Sequence, residues 1–403
     1  MMTIKTTKKM VTSAILFSSL LGATIVSSVT SVTTANAAEV TTTAKASDTS
    51  SVKMLAKHSA TATKQVAAVT VTQNIAYGVD WLKNTLDHAS LDAWDAVALN
   101  QSGLSDAWTA DDTDIDGLKA TIIQNIEAGY SDGASLATKP QTTDYERDIL
   151  GLLAAGYSPD QLTAVPSTTN DSTTDLVGLM VDGLTDGNPD VYALSYGIAA
   201  LTSMKLESDD ATYDDEIKTA INQLLALQGV DPTNNNEQTN SGYWKDSYGG
   251  ITDVNGMVLQ ALAPYANGTS TVSDIDTATV KTAVTTAANA ITSTENGFLQ
   301  ADGNIYDSNS LYGEANSSSN SMVLAGLTAC GIELTDSTGS INDKIATAIL
   351  TYQVAQGETD AGSFNWASDA TYDRHLSTQE GVYGLDQYNN GSAKWLFDFT
   401  STD

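Results

Sequence analysis

Residues Gly250–Gly268, GITDVNGMVLQALAPYANG, carry a pattern that recurs along nearly all of the chain beyond its first seventy residues. Thr252 and Asp253 stand where N-cap residues belong. Val254, Met257, Val258, Ala261, Leu262 and Tyr265 then fall at helical spacing before Asn267-Gly268 stops the run. A helix this apolar, with Gly and Ala where a neighbouring backbone must come close, belongs inside a larger assembly of helices.

Five other segments repeat that logic: Ser90–Leu104, Thr142–Tyr157, Asn188–Met204, Ser317–Gly331 and His375–Gly391. Each has a polar capping cluster, then small and apolar residues, and most end in Gly or Asn. Between them lies a second set, more polar on one side: Asn74–Asp87, Asp116–Ala128, Thr173–Leu184, Tyr213–Gln228, Asp276–Ile291 and Ile341–Gln353. In Tyr213–Gln228 the residues Ile217, Ala220, Ile221, Leu224 and Leu225 form an apolar stripe, while Asp214, Asp215 and Glu216 sit at the helix start, where its dipole favours acids. The two sets alternate six times, and almost no segment reads as a strand. Six hairpins with apolar inner helices and amphipathic outer ones predict an all-α (α/α)6 toroid, because a closed ring lets every inner helix bury its whole surface. An open superhelix would need polar capping repeats at its ends, and none is evident.

The termini read differently. Residues 1–37 carry Lys5, Lys8 and Lys9, an apolar run from Val11 to Val26 and a closing Ala35-Asn36-Ala37, the pattern of a secretory signal peptide. Residues 38–72, rich in Ala, Thr and Ser and free of aromatics, read as a disordered linker, which leaves 73–403 as the toroid domain. The chain has 18 Lys+Arg against 49 Asp+Glu, a formal charge of −31. Loss of the leader would leave 15 against 49, or −34. Such a surface repels nucleic acid, favours basic partners, and also serves solubility outside the cell. No membrane insertion is expected after signal cleavage, and the protein is expected outside the cell, free or associated with its surface. Cys330, the single cysteine, lies in the apolar run MVLAGLTACG and reads as a small core residue.

The phrases TTDYERDILGLLAAGYSP and SSSNSMVLAGLTACG, with the outer-helix endings LLALQ…SGYW and LTYQ…GSFNW, resemble the terpenoid cyclase and protein prenyltransferase toroid superfamily, in particular its secreted branch of intrinsic factor, transcobalamin and bacterial surface proteins. In that superfamily a Gln ending an outer helix precedes a structural Gly-aromatic turn. Gln228 with Gly242-Tyr243-Trp244 and Gln353 with Gly362-Ser363-Phe364 resemble it, and Gly297-Phe298 is a fragment of one. The superfamily's catalytic signatures do not carry over. Its Asp-x-Asp-Asp acid is absent: Glu207-Ser208-Asp209-Asp210 and Asp274-Ile275-Asp276-Thr277 approach it and neither matches. Its zinc set is not assembled, because Cys330 lacks an Asp two residues before it. In the cobalamin carriers a following β domain completes the site, whereas this sequence ends just after the sixth hairpin. The resemblance therefore implies a fold, while the superfamily's known functions fit poorly and the protein is read as non-catalytic.

Long connections after the last three outer helices, Gly229–Gly249, Ser293–Asn316 and Ala355–Arg374, place the binding site at the mouth that gathers the inner-helix N-termini. Trp94, Tyr145, Tyr192, Asp253, Asn255, Asn320 and Gln379 are expected there from the inner helices, and Tyr243, Trp244, Phe364 and Trp366, with Tyr248, from the loops. Aromatic faces with amides and carboxylates suit a sugar or another small polar molecule, and a cell-surface protein is the alternative partner. The same residues also serve simpler purposes as helix caps and loop wedges. A carbohydrate-active enzyme, hydrolase or lyase, would draw on Asp144, Asp253, His375 and Glu380, with Tyr372-Asp373-Arg374-His375 as a local polar cluster. A terpenoid cyclase ranks third. No metal is expected, although Asp112, Asp114 and Asp116 match the first half of a calcium loop whose twelfth position, Ile123, lacks the required Glu.

Overall fold

Every inner helix touches two others, and the last touches the first. In a computed structural model the described residues are 71–104, 117–130, 141–166, 172–185, 188–208, 211–239, 241–270, 272–309, 313–368 and 373–400. The leader and nearly all of the linker inferred from the sequence, and the calcium-like Asp112, Asp114 and Asp116, lie outside them. Residues 71–403 form one compact unit.

The unit begins with α1 (71–84), followed by a 3-10 turn at His88–Ser90 and α2 (Ala93–Gln101). Then come α3 (Leu118–Ala128), α4 (Thr142–Ala154), the single turn α5 (Pro159–Leu162), α6 (Leu176–Thr185), α7 (Val191–Ser208) and α8 (Asp214–Ala226). The chain finishes with α9 (Thr252–Ala266), α10 (Thr277–Ile291), α11 (Ser317–Ala329), α12 (Ile341–Leu350) and α13 (Arg374–Asn390). Helices α2, α4, α7, α9, α11 and α13 pack in that order, and α13 packs on α2. The ring closes, and the fold is the all-α (α/α)6 toroid. Strand structure among the described residues is limited to three two-residue antiparallel ribbons, with Val165 opposite Thr174, Val230 opposite Gln238 and Thr335 opposite Ser340. No helix of the described residues is long and apolar enough to cross a membrane.

Burial follows the two sequence classes. Every residue of α9 except Asp253 is buried, and every residue of α11. Outer α8 buries only the stripe Ile217, Ala220, Ile221 and Leu224. The inner helices approach closely through small residues: a Cβ on Gly256 would lie 2.5 Å from the backbone carbonyl of Met322, and one on Gly326 would lie 2.6 Å from the Gly256 oxygen. One detail departs from the sequence reading. Thr252 and Asp253 do not cap α9; Ile251 occupies the cap position without a side-chain bond, and both residues lie in the first turn.

Three return loops share one clasp. Gly242, Gly303 and Gly362 have φ of 76°, 89° and 93°, values open to glycine. Two residues later the backbone N–H of Trp244, Ile305 or Phe364 donates to a side chain in the first turns of the next inner helix: Asn255 Oδ1 at 3.0 Å, Asn320 Oδ1 at 2.8 Å or Thr378 Oγ1 at 2.9 Å. Gln228 Nε2 spans from the Gly242 oxygen (2.8 Å) to the Ala283 oxygen of α10 (2.9 Å). Gln353 Nε2 does the same between the oxygens of Gly362 and Asn74, both at 2.8 Å, and so ties the outer ring back to α1. The turn fragment read at Gly297-Phe298 is displaced: the equivalent glycine is Gly303.

The far end of the ring is sealed by the residues after α13. Leu396, Phe397 and Phe399 are buried, Ser203 Oγ donates to the Phe397 oxygen (2.7 Å), and Gln101 Nε2 to the Asp398 oxygen (3.2 Å). Pro264, inside α9, cannot donate to the Gln260 carbonyl one turn back. The Trp395 indole N–H takes that place at 2.8 Å.

Candidate functional site

The opposite mouth collects the N-terminal turns of the inner helices, and side chains from non-adjacent helices meet inside it. Trp94 of α2 lies 5.3 Å from Tyr196 of α7 and 6.4 Å from Tyr383 of α13, centroid to centroid. Because α2 and α7 are not neighbours in the ring, the first of these contacts crosses its centre. Trp94, Tyr192, Tyr196 and Asp253 remain half-exposed, whereas Tyr383 is buried and its hydroxyl donates to Met322 Sδ at 2.7 Å. Among the described residues the result is a bowl with an aromatic floor, its rings partly accessible to solvent.

Three carboxyls lie within electrostatic reach of Tyr196. Glu146 of α4 is fully buried and packs against Gly197, where a Cβ would lie 3.1 Å from its Oε1. Burial raises its pKa well above the usual carboxylate range, and Asp190 and Asp144 add to the effect. Glu380 of α13 is pushed up to about 8 by burial, opposed by a hydrogen bond from Ser318 and reinforced by Asp253 and Asp373. Asp253 of α9 is raised by burial too, with Ser319 and Thr252 hydrogen bonds pulling the other way. All three act on the Tyr196 hydroxyl, whose pKa is raised by burial first and then by Glu380, Glu146 and Asp253.

Glu380 makes stability depend on pH. Its folded value of about 8 stands above the ordinary 4.5, so between these values the folded chain keeps a proton that the unfolded chain has released. Stability therefore falls as pH rises from about 4.5 to 8, by on the order of 5 kcal/mol. Asp386, pushed up to about 7 by burial, contributes with the same sign. Thermal melts should show a Tm at pH 5 well above that at pH 8, and Glu380→Gln should raise the pH 8 value and flatten the slope. An identical slope in the variant would remove Glu380 from this account.

Several residues expected at the mouth serve the scaffold instead. Trp244 and Phe364 are completely buried, and Trp244 Nε1 donates to the Leu224 oxygen at 2.6 Å. Asn255 and Asn320 are spent on the clasps: Asn255 Nδ2 donates to the oxygens of Trp244 (2.8 Å) and Ile251 (2.7 Å), and Asn320 Nδ2 to Asn304 Oδ1 (2.8 Å). Tyr243 meets Phe298 edge-on at 5.7 Å, and buried Trp366 accepts the Ser317 N–H at 2.8 Å through its backbone oxygen. Tyr145 is buried against Tyr130, with centroids 6.3 Å apart. Tyr248 is 78% exposed, and its backbone N–H donates to Asp246 Oδ1 at 2.8 Å. Asp144 closes a capping box on Gln141 N–H at 2.9 Å and pairs with Arg147 at 3.3 Å. Tyr192 donates to Asp246 Oδ2 at 2.5 Å, which fixes it at the rim.

His375 and Gln379 close the ring. His375 Nε2 lies 2.9 Å from both Asp95 oxygens, and Gln379 Nε2 donates to Asp92 Oδ1 at 2.9 Å. Burial lowers the His375 pKa, but the Asp95 bond and charge, with Asp92, outweigh it and the net shift is upward. The cluster read at 372–375 does not act as one unit: Arg374 turns to Asp360 and to Asn365 Oδ1 (2.8 Å), His375 turns to α2, and Tyr372 lies outside the described residues. Asp92, Asp95 and His375 offer ligand atoms within 4.8 Å of one another, a donor set able to hold a divalent ion. Asp92 and Asp95 already form the capping box of α2, which accounts for their convergence without an ion. Cys330 is unsuited to zinc: its Sγ donates to the Leu259 oxygen at 3.1 Å, and burial pushes the thiol pKa far up.

Sequence reasoning passed over Glu146, Tyr196 and Tyr383. Their signal was positional. Tyr196 lies one turn after Tyr192, Tyr383 one turn after Glu380, and Glu146 is an acid on a stripe that continues through Leu150 and Leu153.

No protein-family model and no curated protein matches the chain. Among solved structures it is similar to ent-copalyl diphosphate synthase from Streptomyces platensis, at 17% sequence identity and a TM-score of 0.43, over 73% of this chain and 49% of that one. The chain thus spans about half the length of that synthase.

Proposed function

We propose that the protein is a non-catalytic binding protein of the cell exterior that holds a small ligand in the bowl at the open mouth of its toroid. The observation that carries this reading is the aromatic floor: Trp94 and Tyr196 meet across the ring at 5.3 Å and stay half-exposed below the rim formed by Tyr192 and Asp253. Stacking faces beside hydrogen-bonding groups are what a compact site for a small molecule requires. The C-terminal seal leaves this mouth as the route in. The leader at 1–37 and the charge of −31 support export and solubility outside the cell.

A second reading has one observation in its favour. Burial pushes the Glu380 carboxyl up to about 8 and Asp253 reinforces the shift, and a raised acid near a second carboxyl is the pairing that a glycoside hydrolase uses. A thermal-shift screen of the full chain against oligosaccharides, corrinoids, isoprenoids and calcium separates the cases, because a ligand that binds only the folded state raises Tm by mass action. One class should raise Tm by about 3 °C at a hundredfold excess over its Kd, and Trp94→Ala should abolish that shift. An unchanged shift in Trp94→Ala would move the site away from the bowl. Release of reducing sugar from a stabilising oligosaccharide, lost in Glu380→Gln, would decide for the hydrolase.

A further inference from the structure

His375 reaches the start of α2 from 280 residues away, and helix capping does not account for its presence there. The capping box of α2 uses Asp92 Oδ1, which accepts from the Trp94 N–H at 2.8 Å, and Asp95 Oδ2, which accepts from the Asp92 N–H at 2.7 Å. Asp92 Oδ2 and Asp95 Oδ1 take no part in the cap. One ligand atom from each of Asp92, Asp95 and His375 lies within 4.8 Å of the other two. Ligands about 2.1 Å from a metal ion stand about 3 to 4 Å from one another, so the set is within about 1 Å of a coordination shell.

The contacts of His375 point to a missing cation. Its Nε2 lies 2.9 Å from both oxygens of the fully buried Asp95 and 2.9 Å from Gln379 Nε2. A protonated Nε2 donates to Asp95 but meets the Gln379 amide as donor against donor. An unprotonated Nε2 accepts from Gln379 but turns its lone pair on the Asp95 carboxylate. Reversing the amide only moves the conflict, because Gln379 Nε2 also lies 2.9 Å from Asp92 Oδ1 and an oxygen in its place would face an oxygen. No arrangement of protons satisfies all of these contacts. A metal ion does, since the imidazole nitrogen, both carboxylates and the reversed amide oxygen can all turn lone pairs toward it. Arg147, whose charge acts on Asp92, does not fill the place: its guanidinium is turned to Asp144 and Asp148.

The donor set selects the ion. Two carboxylates and an imidazole, with no thiolate, suit zinc or manganese, whereas calcium and magnesium prefer oxygen alone. We propose that Asp92, Asp95 and His375 bind one divalent ion of the zinc or manganese class, with Gln379 as a fourth donor, and that the ion clasps α2 to α13 where the ring closes. That seam joins the first inner helix to the last, and a metal clip gains most in principle when it closes a long loop. The clasp acts on the scaffold, whether or not the bowl takes a ligand.

Isothermal titration of the untagged full chain, first stripped with EDTA, tests this at neutral pH in about 0.3 M NaCl, which screens the acidic surface. Zinc or manganese should bind with a stoichiometry of about one, at least about tenfold more tightly than calcium or magnesium. A hundredfold excess over Kd should raise Tm by about 3 °C. His375→Gln should weaken binding at least about tenfold and remove the Tm rise, and His88→Gln, at an exposed histidine bonded to the Lys83 oxygen, should change neither. Asp92→Asn keeps an N-cap acceptor and should match His375→Gln, so it carries the test if that variant fails to fold. Zinc and manganese both failing to bind overturns the proposal. Binding equal to that of calcium overturns it as well, since it reports only general attraction to a surface of charge −31. Native affinity in His375→Gln or Asp92→Asn overturns it too, and leaves the three residues as a cap and a hydrogen-bonded seam.

Discussion

Removal of the residues from Gly391 onward is expected to abolish cooperative folding at 25 °C. Leu396, Phe397 and Phe399 are buried against the ring, and each such side chain contributes about 2 kcal/mol on burial, roughly 6 kcal/mol together. Their loss also exposes the C-terminal turns of the inner helices to water. Ser203 and Gln101 lose backbone acceptors, Gln387 Nε2 loses the oxygens of Gly391 (2.5 Å) and Lys394 (2.8 Å), and the Gln260 carbonyl loses the Trp395 indole. The sum rivals the total stability of an ordinary domain, about 5–15 kcal/mol. Calorimetry of the truncated chain should show no sharp transition, and a transition at the native Tm would refute the seal. Trp395→Phe isolates one component. It keeps a ring but leaves the carbonyl freed by Pro264 without a donor, at a cost of about 1–2 kcal/mol.

The second large effect is expected at Gly256. The α9–α11 contact brings backbone against backbone, with the Met322 carbonyl 2.5 Å from where a Cβ would stand and Gly326, one turn further along the same face of α11, against the Gly256 oxygen. No rotamer relieves a clash with a main chain. Gly256→Leu must push α9 and α11 apart and open the ring, at a cost of about 3 kcal/mol or more, although leucine is the better helix former by most of a kcal/mol. Denaturant unfolding measures it. Because the variant moves the two helices that carry Asp253 and Ser319, ligand binding at the mouth should weaken in parallel. A variant as stable as the native chain would show that the ring tolerates wider spacing than its packing implies.

The architecture was legible because it rests on periodicity. Inner segments apolar all round and outer segments with one stripe can satisfy their burial only in a two-layered arrangement, and the six-fold count predicted a ring that the packing of α13 on α2 completes. Individual side chains were less legible. Trp244, Asn255, Asn320 and Phe364 have the composition of a binding site, yet each is consumed by a loop clasp, because a buried backbone N–H must find an acceptor and the nearest inner helix supplies it. Asp253, read both as a cap and as a mouth residue, does not cap α9 and lies in its first turn at the rim.

What the sequence determined by itself is the helical content, the order of inner and outer helices and the clasp glycines at 242 and 362, all properties of near neighbours in the chain. What only the tertiary structure decided is which residues meet across the ring: Trp94 with Tyr196, His375 with Asp95, Trp395 with Gln260, and Glu146 with no partner at all. These pairs are separated by up to 280 residues, and their meeting depends on ring closure, helix rotation and the depth of each side chain along its axis. Local periodicity specifies that a face is buried; the partner it is buried against is set by the packing of all six hairpins at once.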